Sequence, residues 1–222
     1  DNFKYKFSKY KIYYMKKIID YCSYIGIDLT NEQIEKIQLY VNFLLEENKK
    51  YNLTGLKNKN DIFFNLILKS LLIFHPHGGN QSTMEWFFEK RILDIGTGAG
   101  IPGLIVKIVS PTSDIYLLDS NKKKCQFIEQ ACKKLNLPKI NIINERAETI
   151  AHDRKFREQL DLIVSRAVGK LSELSELTLP FAKVGGISIA LKGKNIKEEI
   201  NSSKNASNIM GASPASIVKI TL

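Results

Sequence analysis

Residues 91–103 read RILDIGTGAGIPG, a short apolar run carrying Asp94, followed by glycines at 96, 98 and 100. Alternate glycines strip side chains from a turn, which suits a backbone that takes positive φ and lets a ligand lie against it. Gly96 is expected to accept the positive φ, Gly98 to admit the ligand, and Gly100 to start the next helix tightly. A second acid, Asp119, closes the following apolar run 23 residues after Gly96. That is near the spacing of about 20 at which a carboxylate meets ribose hydroxyls in nucleoside-binding folds.

Charge narrows the choice of nucleoside. Dinucleotide sites use G-x-G-x-x-G and rest a pyrophosphate on a helix N-terminus, where an acid two residues before the first glycine would repel it. Here the spacing is G-x-G-x-G, and Asp94 is that acid. S-adenosylmethionine has no phosphate, and its methionine end carries an ammonium and a sulfonium. The residues therefore favour it over NAD: Asp94 would hold the cationic end and Asp119 the ribose, with Thr97, Pro102 and Ser120 completing the lining. Asp94 as an acid that merely caps the turn is the competing reading.

The stretch Val164-Ser165-Arg166-Ala167 ends a later apolar run and should face the transferable methyl. It contains neither an Asn/Asp-Pro-Pro-aromatic sequence, which argues against methylation of an exocyclic base amine, nor a Pro-Cys pair, which argues against a cysteine adduct on a pyrimidine ring. What remains is a nucleophile that needs little activation.

These groups must be held by alternating elements. From residue 91 the chain shows β-rich runs, RILDI, DIYLLD, KINIIN, LDLIVS, GISIAL and SIVKITL, separated by helical stretches. That alternation predicts βαβ units in a mostly parallel, doubly wound α/β sheet. Pro111, Pro138 and the Gly185-Gly186 pair are placed between units. Residues 1–84 are expected to form a helical N-terminal extension and linker, and 85–222 the sheet domain. In the extension, Thr30 and Gln33 form a possible capping box ahead of Ile34, Ile37, Val41, Leu44 and Leu45, ending near 48–52. A third helix is expected from about Asp61 to Phe74, then a surface connection over 75–83.

The 222 residues, 44% of them apolar, are ample for a sizeable core. Lys and Arg number 33 against 23 acids, a net charge of +10, which favours a polyanionic partner such as RNA, DNA or a membrane surface. Residues 2–19 hold six lysines and no acid. No run of eighteen apolar residues predicts a membrane span. The three cysteines, Cys22, Cys125 and Cys132, read as reduced core residues. Trp86 and Phe87 read as core, and His75 and His77 lack a third metal ligand nearby, so no metal is expected. The first methionine is Met15, so residues 1–14 are a leader remnant, a basic arm or a trimmed start. The expected place is the cytoplasm, or an organelle matrix if they are a leader remnant.

In order along the chain, NKKYNLTGL (48–56), LDIGTGAGIPG (93–103), LLDSNKKKCQFI (117–128), NERAE (144–148), VSRAV (164–168) and ALKG (190–193) resemble the bacterial small-subunit ribosomal RNA guanine-N7 methyltransferases, the RsmG or GidB family. The resemblance implies a Rossmann-like class I methyltransferase that moves a methyl from S-adenosylmethionine to N7 of a guanine in 16S ribosomal RNA, free or in a small-subunit precursor, and is expected to act as a monomer. It implies that Gly96, Gly98, Gly100 and Asp119 line the cofactor and that Ala147 and Glu148 flank its adenine. Asn52, Thr54, Arg146, Arg166 and Lys192 would face the substrate, with Arg166, Asn52 and Lys192 as the catalytic set and Arg166 also touching the cofactor.

Lys122 and Lys123, with Lys124, can contact RNA phosphates. Arg146 or Arg166 paired with Glu145, Glu148 or another acid, and Asn52 as a turn former, are the structural alternatives. Where the family carries His-x-x-Asp-Ser, this chain has Leu66 and Lys69 ahead of Ser70, so that polar role is absent or relocated, and Lys69 reads as solvated. The family's sheet ends in an antiparallel hairpin, whereas this sequence stops after SIVKITL, so the last strand is expected to be missing. A nicotinamide-dependent oxidoreductase, a methyltransferase for another RNA, a protein or a small molecule, and a non-catalytic RNA-binding module remain alternatives.

Overall fold

Alternation along the β-rich runs sends successive side chains to opposite faces, and parallel strands buried on both faces need apolar residues at every position. The computed structural model, which describes residues 9–75, 84–193 and 196–219, meets that demand with five parallel strands. They are β1 (Arg91–Ile95), β2 (Asp114–Leu118), β3 (Ile140–Ile143), β4 (Leu160–Arg166) and β5 (Ala182–Leu191). The order is β3-β2-β1-β4-β5. The winding direction reverses between β1 and β4, where such sheets open a ligand crevice beyond the strand carboxyl ends.

The helices of this part are α5 (Gly103–Val109), α6 (Lys122–Leu135), α7 (Ala147–Ile150), α8 (Leu171–Thr178) and α9 (Lys197–Ile209). Ile92, Ile115, Leu117, Leu162 and Val164 join the larger core cluster on one face of the sheet. Leu93, Ile95, Tyr116, Leu118 and Ile163 pack with Phe156 and Phe181 on the other.

Ahead of the sheet come α1 (Lys9–Tyr24) and α2 (Asn31–Tyr51). Tyr14, Ile18 and Cys22, four residues apart, are buried. In α2 the capping box is formed, with Thr30 Oγ1 accepting from Gln33 N and Gln33 Oε1 from Thr30 N. Ile34, Ile37, Val41 and Leu44 are buried, and Leu45 packs against the core. These helices share their core cluster with α5, α6 and the sheet. Gln33 Nε2 also donates to the carbonyls of Ile108 and Val109 at 2.9 and 3.0 Å, capping the C-terminal end of α5.

Three expectations need correction. The third helix begins at Lys59 and is not uniform: α3 (Lys59–Ile62) leads into a π-helical segment (Phe63–Leu68), then α4 (Lys69–Leu71) and a 3₁₀ turn (Leu72–Phe74). The wider π turn lets Phe63, Leu66, Ile67 and Leu68 all be buried. Gly185 and Gly186 lie inside β5 rather than between units. The ladder to β4 shifts register between Leu160 and Leu162, and a Cβ on Gly186 would stand 2.9 Å from the Leu160 carbonyl, so only glycine lets this bulge close. Residues 216–219, the described part of the SIVKITL run, form no strand.

Residues 220–222, most of the 75–83 connection including His77, and the basic start of the chain lie outside the described residues. Phe87 is buried with Trp86 packed against the core, as expected. Cys22 and Cys125 are buried, all three cysteines are free, and burial pushes the Cys22 thiol up to about 12 and Cys132 to about 11. No helix among the described residues is long and apolar enough to cross a membrane.

Thr30→Ala should lower unfolding stability by about 1 kcal/mol, the usual worth of an N-cap. Gln33→Ala removes the reciprocal cap bond and both ties to α5 and should cost more, about 2 kcal/mol. Urea unfolding of the two variants checks the order; a smaller loss for Gln33→Ala would mean that its amide does not hold α5.

Candidate cofactor and RNA site

Asp94 lies one residue from the end of β1, on the sheet face that carries α5 and α2, and is fully buried. Its Oδ2 accepts from Thr97 Oγ1 and from the Gly103 backbone N–H, each at 2.7 Å. Gly103 N is the first amide of α5, and the next two donate to the Gly100 and Pro102 carbonyls. The helix start that would receive a phosphate is therefore already committed to a carboxylate. Asp94 Oδ1 is buried without a hydrogen-bond partner. Burial raises the Asp94 pKa to about 7, against the opposing pull of the Thr97 and Gly103 hydrogen bonds and of the Arg166 charge.

The turn itself takes positive φ at Gly96, Gly98 and Gly100 (66°, 60° and 84°). A Cβ on Gly98 would meet nothing nearer than the Gly96 carbonyl at 3.9 Å. Open space above Gly98 is what a ligand lying on the main chain requires. Gly96 and Thr97 donate their backbone N–H groups to the Leu118 carbonyl.

Asp119, at the tip of β2 and 8% exposed, accepts from Gly98 N and Asn121 N, both at 2.9 Å. A carboxylate has about four lone-pair directions, so acceptor capacity remains beside the open turn. Ser120 is exposed next to it, and Asn144 Nδ2 holds the Asp119 carbonyl from the β3 tip. Thr97 is buried, and Pro102 precedes α5.

Arg166 ends β4 on the same face as Asp94, with its Nε buried and unpartnered. Burial lowers its pKa, while Asp94 and Tyr40 act in the opposite direction. No acid forms an ion pair with it among the described residues. Ser165 Oγ, on the opposite face, is also buried and unpartnered. Ala167 follows at φ 54°, a left-handed conformation that costs a non-glycine residue. It turns the chain so that Val168 lies against Gly96.

Arg146 is the exposed N-cap of α7; its backbone N–H donates to Glu145, and its guanidinium has no acid partner among the described residues. Ala147 is half-buried against the second core cluster, and Glu148 is exposed in the first turn of α7.

The structure brings some substrate-side residues to this edge and holds others apart. Lys192 Nζ donates to the Gly169 carbonyl at 2.6 Å and pairs with Glu199 at 2.7 Å, tying the β5 tip to the β4 loop and α9. Lys122 and Lys123 stand exposed at the start of α6, whose N-cap Asn121 accepts from Lys123 N and Lys124 N. Basic side chains at a helix N-terminus oppose its macrodipole, and no acid in the first turn of α6 balances them. Asn52 is the left-handed C-cap of α2 at φ 48°, which is the turn-forming role. Asn48 fixes the following loop by accepting from Thr54 N and donating to the Leu56 carbonyl, while Thr54 Oγ1 accepts from Leu56 N. Lys69 is exposed and donates to Asn65.

Tyr40, on α2, is a residue that the sequence reading missed. It is fully buried and donates its hydroxyl to the Ala99 carbonyl inside the glycine turn at 2.6 Å. Nothing local marks it, because its partner lies 59 residues away.

The raised Asp94 pKa sets a pH dependence. Between its unfolded value near 4 and its folded value of about 7 the native state holds a proton that the unfolded chain releases, so this group's contribution to stability falls as pH rises through that window. Asp94→Asn keeps an acceptor for Thr97 and Gly103 and carries no charge. Without ligand, its stability relative to the parent should increase from pH 4.5 to pH 8 by a few kcal/mol, on the order of 4 for a shift of this size. Parallel denaturation curves at the two pH values would contradict this.

The family model for GidB, rRNA small subunit methyltransferase G, matches residues 33–221. The ribosomal RNA small subunit methyltransferase G of Streptococcus sanguinis strain SK36 is 39% identical over 186 residues, covering 83% of this chain and 76% of its own. That of Thermoanaerobacter sp. strain X514 is 43% identical over 181 residues, covering 82% and 72%. Among solved structures, a SAM-dependent methyltransferase from Aquifex aeolicus shares 19% identity, with 56% of this chain and 72% of that chain covered at a TM-score of 0.43. From the match across most of its length, and from relatives at these identities, this chain belongs to the GidB family of rRNA small subunit methyltransferases G.

Proposed function

We propose that this chain transfers a methyl group from S-adenosylmethionine to N7 of a guanine in small-subunit ribosomal RNA. The observation that carries the cofactor reading is Asp94: one oxygen occupies the first amide of α5, and the other is buried and unpartnered. A pyrophosphate would find that amide taken and a carboxylate beside it, whereas a cationic methionine end would supply the charge that the free oxygen lacks. Open main chain at Gly98 and the Asp119 carboxylate beside it suit the ribose. Ala147 and Glu148, at the start of α7 beyond the β3 tip, are assigned to the adenine side. Bound there, S-adenosylmethionine supplies an electrophilic methyl on its sulfonium.

The protein's remaining task is alignment. Guanine N7 is a neutral acceptor with a free lone pair at the major-groove edge, so no base has to remove a proton first. Holding acceptor, methyl and leaving sulfur in line can contribute on the order of 7–11 kcal/mol. An arginine bidentate to O6 and N7 would occupy the attacking lone pair, so Arg166 is assigned to O6 alone or to a phosphate, against the cofactor's methionine end. Lys192 holds the β4 loop in place. Lys122, Lys123 and Arg146 are assigned to RNA phosphates, and Asn52 and Thr54 to the rim of the crevice.

Residues 1–84 act in this reading as an RNA-facing helical extension and 85–222 as the cofactor-binding unit. A monomer suffices, since every group named comes from one chain, and the cytoplasm is the compartment this chemistry implies. The target guanine is expected to be splayed or easily unstacked, because the major groove of regular A-form RNA is too narrow to admit protein.

Incubation with unmodified small-subunit RNA and methyl-labelled S-adenosylmethionine, followed by nucleoside mapping, should yield labelled 7-methylguanosine; label in any other nucleoside, or none, overturns the assignment. Arg166→Ala should lower turnover on the order of a hundredfold through lost alignment, and full activity would remove Arg166 from the site. Changing Lys122 and Lys123 together to Ala should flatten the dependence of log RNA affinity on log salt by roughly 1.5, at about 0.7–0.9 per phosphate contact. An unchanged slope places the RNA elsewhere.

A further inference from the structure

The glycine turn is held from two directions. From the sheet, Leu118 accepts from Gly96 and Thr97, Asp119 accepts from Gly98 N, and Asp94 accepts from Thr97 Oγ1. From the N-terminal helices, the Tyr40 hydroxyl donates to the Ala99 carbonyl. Ala99 sits between Gly98 and Gly100, both at positive φ, a conformation that needs outside ties to hold one geometry. The 99–100 plane has two: Gly100 N–H donates to the Thr97 carbonyl within the turn, and Tyr40 binds the Ala99 carbonyl from outside it. Burial raises the phenol pKa well above its ordinary value, which keeps the donor proton in place.

The same helix is anchored at its other end, since Gln33 binds the last carbonyls of α5. With Gln33 at the end of α5 and Tyr40 at the loop before it, α2 runs antiparallel to α5 and so in the direction of the strands. Its last turn carries Lys49 and Lys50, and Asn52 follows about 18 Å beyond Tyr40 at 1.5 Å per residue.

We propose that Tyr40 is a positioning residue: through the Ala99 carbonyl, α2 sets the conformation of the cofactor turn, so that the helix bearing the RNA-facing rim also determines cofactor affinity. This rests on the cofactor reading above. By reciprocity, whatever α2 does to the turn when RNA engages its end, cofactor binding returns with equal free energy.

The test is calorimetric titration of the full chain with S-adenosylhomocysteine, on the parent, Tyr40→Phe and Phe43→Leu. Phe43 stacks on Phe127 of α6 with ring centroids 5.3 Å apart and has no part in the turn's hydrogen bonds, so Phe43→Leu serves as a control for general loss of packing. Tyr40→Phe should weaken S-adenosylhomocysteine about tenfold, the equivalent of one buried hydrogen bond. RNA affinity measured without cofactor should stay at the parental value, and Phe43→Leu should lower the melting temperature without weakening S-adenosylhomocysteine.

Amide hydrogen exchange of the ligand-free protein provides a second readout, with residues 96–101 exchanging faster in Tyr40→Phe while α2 keeps its protection. Parental affinity for S-adenosylhomocysteine in Tyr40→Phe would overturn the proposal whatever the exchange shows, as would equal weakening by Phe43→Leu. If the parent itself fails to bind S-adenosylhomocysteine, the cofactor reading falls instead, and the exchange experiment still decides whether Tyr40 orders the turn.

Discussion

A carboxylate buried with one oxygen satisfied and the other bare is the constraint around which this structure is arranged. Asp94 reaches its position because β1 is parallel and central, so its side chains are buried on both faces. Oδ2 organises the turn by gathering Thr97 and the first amide of α5. Oδ1 is buried without a hydrogen-bond partner, and the cost of burying the charge outweighs the pull of Arg166. The site answers that cost by moving the pKa of the group to about 7. The same residue thus shapes the backbone cradle and, in the function proposed above, meets the cationic end of the cofactor.

Around that acid the fold supplies a floor, two walls and a brace. The sheet tips bring Asp119 and Arg166 to either side of the turn, Asp119 clasping Gly98 and Arg166 ending the neighbouring strand. Lys192 fastens the β4 loop to α9, and Val168 of that loop lies against Gly96. On the far side α2 spans the length of α5, touching its end through Gln33 and its beginning through Tyr40. The N-terminal helices therefore share the core with the sheet and brace the glycine turn.

The strand-helix alternation from residue 91 was legible because period-two burial and a tight glycine turn leave local signatures. Five of the six apolar runs form strands, β5 starting four residues ahead of GISIAL, and Thr30 with Gln33 marked the start of α2. What local pattern could not show was where a signal is overridden by contacts distant in sequence. Gly185 and Gly186 read as a break between units, yet a register shift against β4 needs them inside a strand. The π-helical segment at 63–68 follows from burying four neighbouring apolar residues at once, which a 3.6-residue period does not announce. Asp94 offered two readings in sequence, cap and charge partner: the hydrogen bonds of Oδ2 meet the first, and the unpartnered Oδ1 is the atom on which the second rests. Tyr40 left no trace, since its importance lies entirely in what surrounds it.

The most direct measurement of the central claim is the proton balance of cofactor binding. Calorimetry of S-adenosylmethionine binding at pH 7, in buffers of different ionisation enthalpy, counts protons exchanged. With Asp94 near half-protonated in the free protein, a cation drawn against Oδ1 should expel about half a proton that Asp94→Asn does not expel. Identical proton release in the two proteins would mean that the bare oxygen does not face the cofactor's charge.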